Sequence, residues 1–109
     1  MTRAPIDLGH LSRQTLGDSA LGREVLALFA AQARLLAGRI GDAGTQERRA
    51  IAHTMKGAAS GVGAFAVAEG AARIEREPDR EEWVAPLQAL VEEACGFIET
   101  LGEPAAGHG

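Results

Sequence analysis

The stretch Ala50–Ala64, AIAHTMKGAASGVGA, decides how the rest of the chain is read. Turned at about 100° per residue with His53 at zero, it sets Ile51, Met55, Ala58 and Val62 within about 40° of the opposite side. That is an amphipathic helix whose histidine faces water. Arg49, Gly57 and Ser60 fall within about 40° of His53, and Lys56 lies one turn on at about 60° to one side. Gly57 is the anomaly, because a glycine inside an exposed helix costs roughly 1 kcal/mol relative to alanine and no turn is signalled there. Its missing side chain leaves room beside the imidazole.

The 109 residues suffice for one domain whose core needs neither disulfide nor metal. Hydrophobic residues make up 46%, largely alanine and leucine, with three Phe, one Trp and no Tyr, a composition that favours helices over strands. The fold class expected is all-α. A formal net charge of −4 argues against a nucleic-acid binder held by a broad basic surface. Cys95 is the lone cysteine, reads as a small core residue, and suits a reducing compartment. No apolar run reaches signal-peptide or membrane-spanning length, so a cytoplasmic protein without a membrane segment is expected. The three histidines show no i, i+4 pairing with one another or with Cys95, so no metal site is expected.

Working outward, Pro5–Leu16 reads as a short helix with Asp7 near its start and Ile6, Leu8, Leu11 and Leu16 placed for burial, ending at Gly17. Asp18 or Ser19 can cap a long helix to about Ile40, with Leu21, Val25, Leu28, Phe29, Leu35 and Leu36 as its apolar stripe. Gln32 falls inside that stripe and is placed near the functional face, where its amide reaches the rim or a hydrogen-bond partner. Gly41–Gly44 stops this helix and Thr45 can cap the central one, with Gly61 and Gly63 breaking or ending it. Ala64–Arg76 offers Val67, Ala68, Ala71, Ala72 and Ile74 for close packing. After Pro78, Asp79 and Glu82 form a candidate capping box for a last helix through Trp83, Leu87, Leu90, Val91, Ile98 and Leu101, with Pro86 kinking its start. His10 reads as a surface residue. Residues 1–103 form one expected domain, and 104–109, with His108, a flexible tail.

The run His53-Thr54-Met55-Lys56-Gly57, followed after five residues by Gly63-Ala64, resembles the active helix of the histidine-containing phosphotransfer (HPt) domain of bacterial phosphorelays. The resemblance extends to Leu28-Phe29 and to Ile74-Glu75, and departs at Ala58, where the family often carries serine. It implies an antiparallel four-helix bundle, here with a short additional N-terminal helix. It also implies that His53 accepts a phosphoryl group from an aspartyl phosphate on a receiver domain and passes it to another.

Residue chemistry agrees with that role. A solvated imidazole is largely neutral at pH 7, and Nε2, the outer nitrogen, is the expected attacking atom. Lys56 supplies a cation for the phosphoryl oxygens, and Gly57 keeps the approach clear. No carboxylate cluster is placed to hold Mg²⁺ beside His53, so this chain is expected to bind no cofactor and the metal to come from the partner's acidic pocket. The expected partners are response-regulator receiver domains and a hybrid histidine kinase, and the expected state is a monomer. Gln32, Gln46, Arg49 and Ser60 are the candidate docking residues, although charged or amide side chains on an exposed helix are more often simply solvated.

Such a protein is a phosphocarrier rather than a turnover enzyme, without kinase activity of its own. The alternative is a helical adaptor that binds a receiver or another signalling protein without being phosphorylated. A third reading, the dimerisation and phosphoacceptor module of a histidine kinase, ranks last because the proline expected soon after such a histidine is absent.

Overall fold

Short acidic side chains start the first two helices. In the computed structural model, which describes residues 4–102, Asp7 accepts the His10 N–H at 3.0 Å and caps α1 (Leu8–Gln14). Asp18 accepts the Leu21 N–H at 3.0 Å and caps α2 (Ser19–Ile40). α3 (Thr45–Val62) starts differently from expectation. Gly44 takes its N-cap position with no side-chain bond, and the Thr45 hydroxyl instead donates to Asp79 Oδ1 at 2.8 Å. α4 (Phe65–Arg76) follows, then a 3₁₀ turn at Glu81–Trp83, and α5 (Val84–Gly102).

The expected capping box at Asp79 and Glu82 does not form, because Thr45 engages Asp79 and Arg80 engages Glu82. Pro86 stands in the first turn of α5, where its missing N–H would have had no intrahelical partner, so it begins the helix rather than kinking it. Among the described residues there is no strand. The expected tail at 104–109 lies outside them.

α2 packs on α3 and α5, and α4 packs on the same two helices, so the four close a ring; α1 lies against α2 and α3. The core inside that ring mixes large aliphatic side chains with many alanines. α2 turns Leu26, Phe29, Ala30, Ala33, Leu36, Ala37 and Ile40 inward, α3 contributes Ile51, Ala52, Met55 and Ala59, and α4 contributes Val67, Ala71 and Ile74. From α5 come Leu87, Val91, Ala94, Cys95 and Ile98. Burial pushes the Cys95 thiol upward, which keeps it protonated and inert.

The inward alanines overturn several sequence expectations. Leu28 and Leu35 are 71% and 63% exposed, Leu21 is also exposed, and Gln32 stands among them on the outside. Alanine at Ala30, Ala33 and Ala37, beside the buried Leu26 and Leu36, lets neighbouring helices approach closely, and Leu21, Leu28 and Leu35 face out. Leu8 and Leu16 are exposed as well, Leu16 at 94% with φ 54°, because α1 ends at Gln14, before reaching it. His10 is not a plain surface residue, since its ring packs edge-on to Phe65 with Nε2 buried and unpartnered. No helix of the described residues is long and apolar enough to cross a membrane.

Two local devices hold the register. Gly63 ends α3 with φ 84°, and the Ala64 N–H closes back on the Ala59 carbonyl at 2.8 Å, so α3 runs unbroken through Gly61. A Cβ on Gly63 would meet the Asp7 carbonyl oxygen at 2.8 Å, and the Asp7 N–H donates to the Gly63 carbonyl at 2.9 Å. The second device is Arg48. Its buried guanidinium donates to the carbonyls of Ile40, Gly41 and Pro78 at 3.0–3.1 Å, tying the end of α2 and the segment after α4 to α3.

Arg48→Met keeps much of the side-chain volume but leaves three carbonyls without their donor. Chemical denaturation is expected to show a loss of about 2–4 kcal/mol in unfolding free energy, and an unchanged midpoint would remove this clamp from the account.

Candidate functional site

The face of α3 turned away from the core carries His53, whose side chain is 69% exposed. Directly opposite on α4 stands Glu75, a side chain that sequence reasoning did not place in the site. Its Oε2 accepts from His53 Nδ1 at 2.7 Å and its Oε1 accepts from Lys56 Nζ at 2.6 Å. Glu75 is 24% exposed, tucked between the two helices, and its carboxyl is held below the usual carboxylate range, first by the Lys56 ammonium and then by His53. An ionised carboxylate can only accept. The proton must therefore sit on His53 Nδ1, which leaves the lone pair of the neutral ring on Nε2.

The surroundings of His53 divide into two edges. Across the α2–α3 turn, Arg39 Nη2 pairs with Glu47 Oε2 at 3.2 Å. Counting equally along both helices from that pair puts Ala33 level with His53. At about 100° per residue, Leu21, Leu28, Gln32 and Leu35 lie within about 40° of Arg39, on the α3 side of the outer face of α2. Between them and His53, α3 presents Ala50, Gly57 and Gly61, all exposed. A Cβ on Gly57 would meet nothing within 4 Å, so no packing inside the chain calls for glycine there. This edge is apolar and low.

The opposite edge, toward α4, is cationic. Arg49, one turn before His53, and Lys56, one turn after, both lean to that side of α3. Ser60 is exposed on the His53 face one turn beyond Lys56, and Gln46 is exposed two turns before His53. The sequence-nominated residues thus share one surface. Only His53 and Lys56 are joined by bonds, and they are joined through Glu75. The one signal for Glu75 in the sequence was its place in the Ile74-Glu75 pair, which carried no indication of which face of α4 meets α3. Among the described residues, no group of three His, Cys, Asp or Glu side chains is arranged to hold a metal ion.

This arrangement offers an oriented, exposed nucleophilic nitrogen beside one ammonium group, with an unobstructed approach. Residues 24–97 match the family model of the Hpt domain. No curated protein and no solved structure matches the chain. The match covers the site helix, its partner α4 and most of α2 and α5, and together with the tethered, solvent-facing histidine it establishes that the chain belongs to the Hpt domain family of phosphorelay histidine phosphotransfer proteins.

Proposed function

We propose that His53 carries a phosphoryl group between aspartates of receiver domains. The observation that carries this reading is the Glu75 bridge, which commits Nδ1 as a donor and leaves Nε2 as the nucleophile. In the transfer, Nε2 attacks in line on the phosphorus of an aspartyl phosphate. The new N–P bond forms as the P–O bond to the aspartyl carboxylate breaks, and the electron pair leaves on that carboxylate. The proton stays on Nδ1, and the ring becomes cationic beside the Glu75 carboxylate, which offsets the new charge. Lys56, already beside the site, lies within reach of the phosphoryl oxygens. Mg²⁺ belongs to the partner's carboxylates in this scheme.

The order of contacts around the ring supports an antiparallel four-helix bundle with α1 added. Gln88 pairs with the Ala37 carbonyl and Cys95 with the Ala30 carbonyl, so positions on α5 rise as those on α2 fall. On this scaffold the exposed Leu28 and Leu35, with Gln32 between them, form the apolar side of the docking surface for a receiver. The partners proposed are receiver domains and the hybrid kinase upstream, engaged by a monomer.

The deciding experiment is transfer from a panel of receiver domains, phosphorylated with acetyl phosphate in Mg²⁺, to the wild type and to His53→Gln. The wild type alone is expected to take label that is stable to base and lost in acid. Label retained in His53→Gln would overturn the assignment, and binding without label would make the protein an adaptor.

Glu75→Ala removes the acceptor for Nδ1–H. The ¹⁵N spectrum of the His53 ring is expected to move from the Nδ1–H form toward a tautomer mixture, with transfer slowed roughly tenfold. Because the folded state lowers the Glu75 pKa, the stabilisation from its contacts is present above about pH 5 and is lost as pH falls through that lowered value. Melting temperatures of wild type and variant should therefore differ at neutral pH and converge in acid. Gly57→Gln is expected to raise the melting temperature, by up to about 1 kcal/mol of helix propensity, while impairing transfer; unimpaired transfer would show that the open space has no role.

A further inference from the structure

The cationic edge has a charge balance that the phosphoacceptor chemistry does not use. Arg49 and Arg76 are exposed, and among the described residues neither makes a hydrogen bond or an ion pair. The acids near them are engaged elsewhere. Glu75 holds His53 and Lys56, Glu47 holds Arg39, Glu77 and Glu82 hold Arg80, and Asp79 holds the Thr45 hydroxyl. Arg76 follows Glu75 on the outer face of α4, so the contacts of Glu75 with α3 place it level with His53. Arg49 stands one turn before His53, on the α4 side of α3. A chain with net charge −4 thus leaves two guanidinium groups uncompensated beside its phosphoacceptor.

We propose that Arg49 and Arg76 receive the carboxylate-rich rim of the partner's aspartyl-phosphate pocket, and so determine docking orientation and encounter rate. This rests on the carrier reading above. An aspartyl phosphate and the carboxylates that hold its Mg²⁺ make that rim anionic, and guanidinium groups bind carboxylates through paired N–H donors. With the apolar edge on one side of His53 and the cationic edge on the other, the partner can seat its apolar contact on α2 and its acidic rim toward α4. The reverse orientation would set carboxylates against Leu28 and Leu35.

The test uses the receiver domain, phosphorylated with acetyl phosphate in Mg²⁺, that transfers fastest to the wild type. In Arg49→Gln/Arg76→Gln, the second-order rate constant is expected to fall about tenfold at low salt and to depend less steeply on ionic strength. The rate at saturating receiver should hold, as should labelling by phosphoramidate, a small donor with no protein rim. Arg49→Lys/Arg76→Lys should restore the salt dependence by keeping the charge and recover only part of the rate, since an ammonium lacks the paired donors. Wild-type rate and salt dependence in the Gln pair would overturn the proposal. So would a parallel loss of phosphoramidate labelling, which would put the arginines on the phosphoryl group itself. If no receiver phosphorylates the wild type, the carrier reading fails on its own account, and equilibrium binding of the same receivers judges the arginines: binding weakened in the Gln pair sustains the cationic edge, and equal binding overturns it.

Discussion

The left-handed turn at Gly63 is the constraint on which the site depends. It reverses the chain within two residues, and a side chain there would collide with the backbone of Asp7. From that reversal α3 and α4 run back along each other, and the small residues Ala52, Ala59, Ala68 and Ala71 let them lie close. The register that results sets Glu75 against His53, 22 residues away in sequence. A shift of one residue along α4 would turn the carboxylate about 100° from the imidazole.

That contact turns an exposed histidine into an oriented one. An imidazole in water samples both neutral tautomers and many ring orientations, whereas a carboxylate at 2.7 Å selects one tautomer and one edge of the ring. The same carboxylate anchors Lys56, so imidazole and ammonium share one support on the α3–α4 pair. The site remains open because Gly57 contributes no side chain and because α2 places its bulk to one side. The orientation of His53 thus comes from two helices, α3 carrying the imidazole and α4 the carboxylate that holds it.

Much of the architecture was legible in local pattern. The long helix with its Asp18 cap, the short helix behind Asp7, the helix ending at Gly63 and the following alanine-rich helix all appear close to where their caps and periodicity put them. The orientation of α2 was less legible, because leucine outranks alanine in hydrophobicity and draws the eye to the wrong stripe. Close packing reversed that ranking, turning Ala30, Ala33 and Ala37 inward and Leu28 and Leu35 out. Arg48 was invisible for a related reason, since its three acceptors are backbone carbonyls from two distant segments and carry no side-chain signature.

For the site, the sequence by itself determined that His53 faces solvent, that Arg49, Lys56, Gly57 and Ser60 lie about it, and that the spacing is that of a phosphotransfer helix. The exposure and the neighbours are properties of one helix that 3.6 residues per turn is enough to derive, whereas the phosphotransfer spacing is a resemblance to a known family. Only the tertiary structure decided that Glu75 completes the site, that the apolar edge lies toward α2, and that the unpaired cations gather toward α4. Each of those facts depends on the register between helices. That register is set by the turn at Gly63 and by the fit of small side chains across the core, which no periodicity within a single helix encodes.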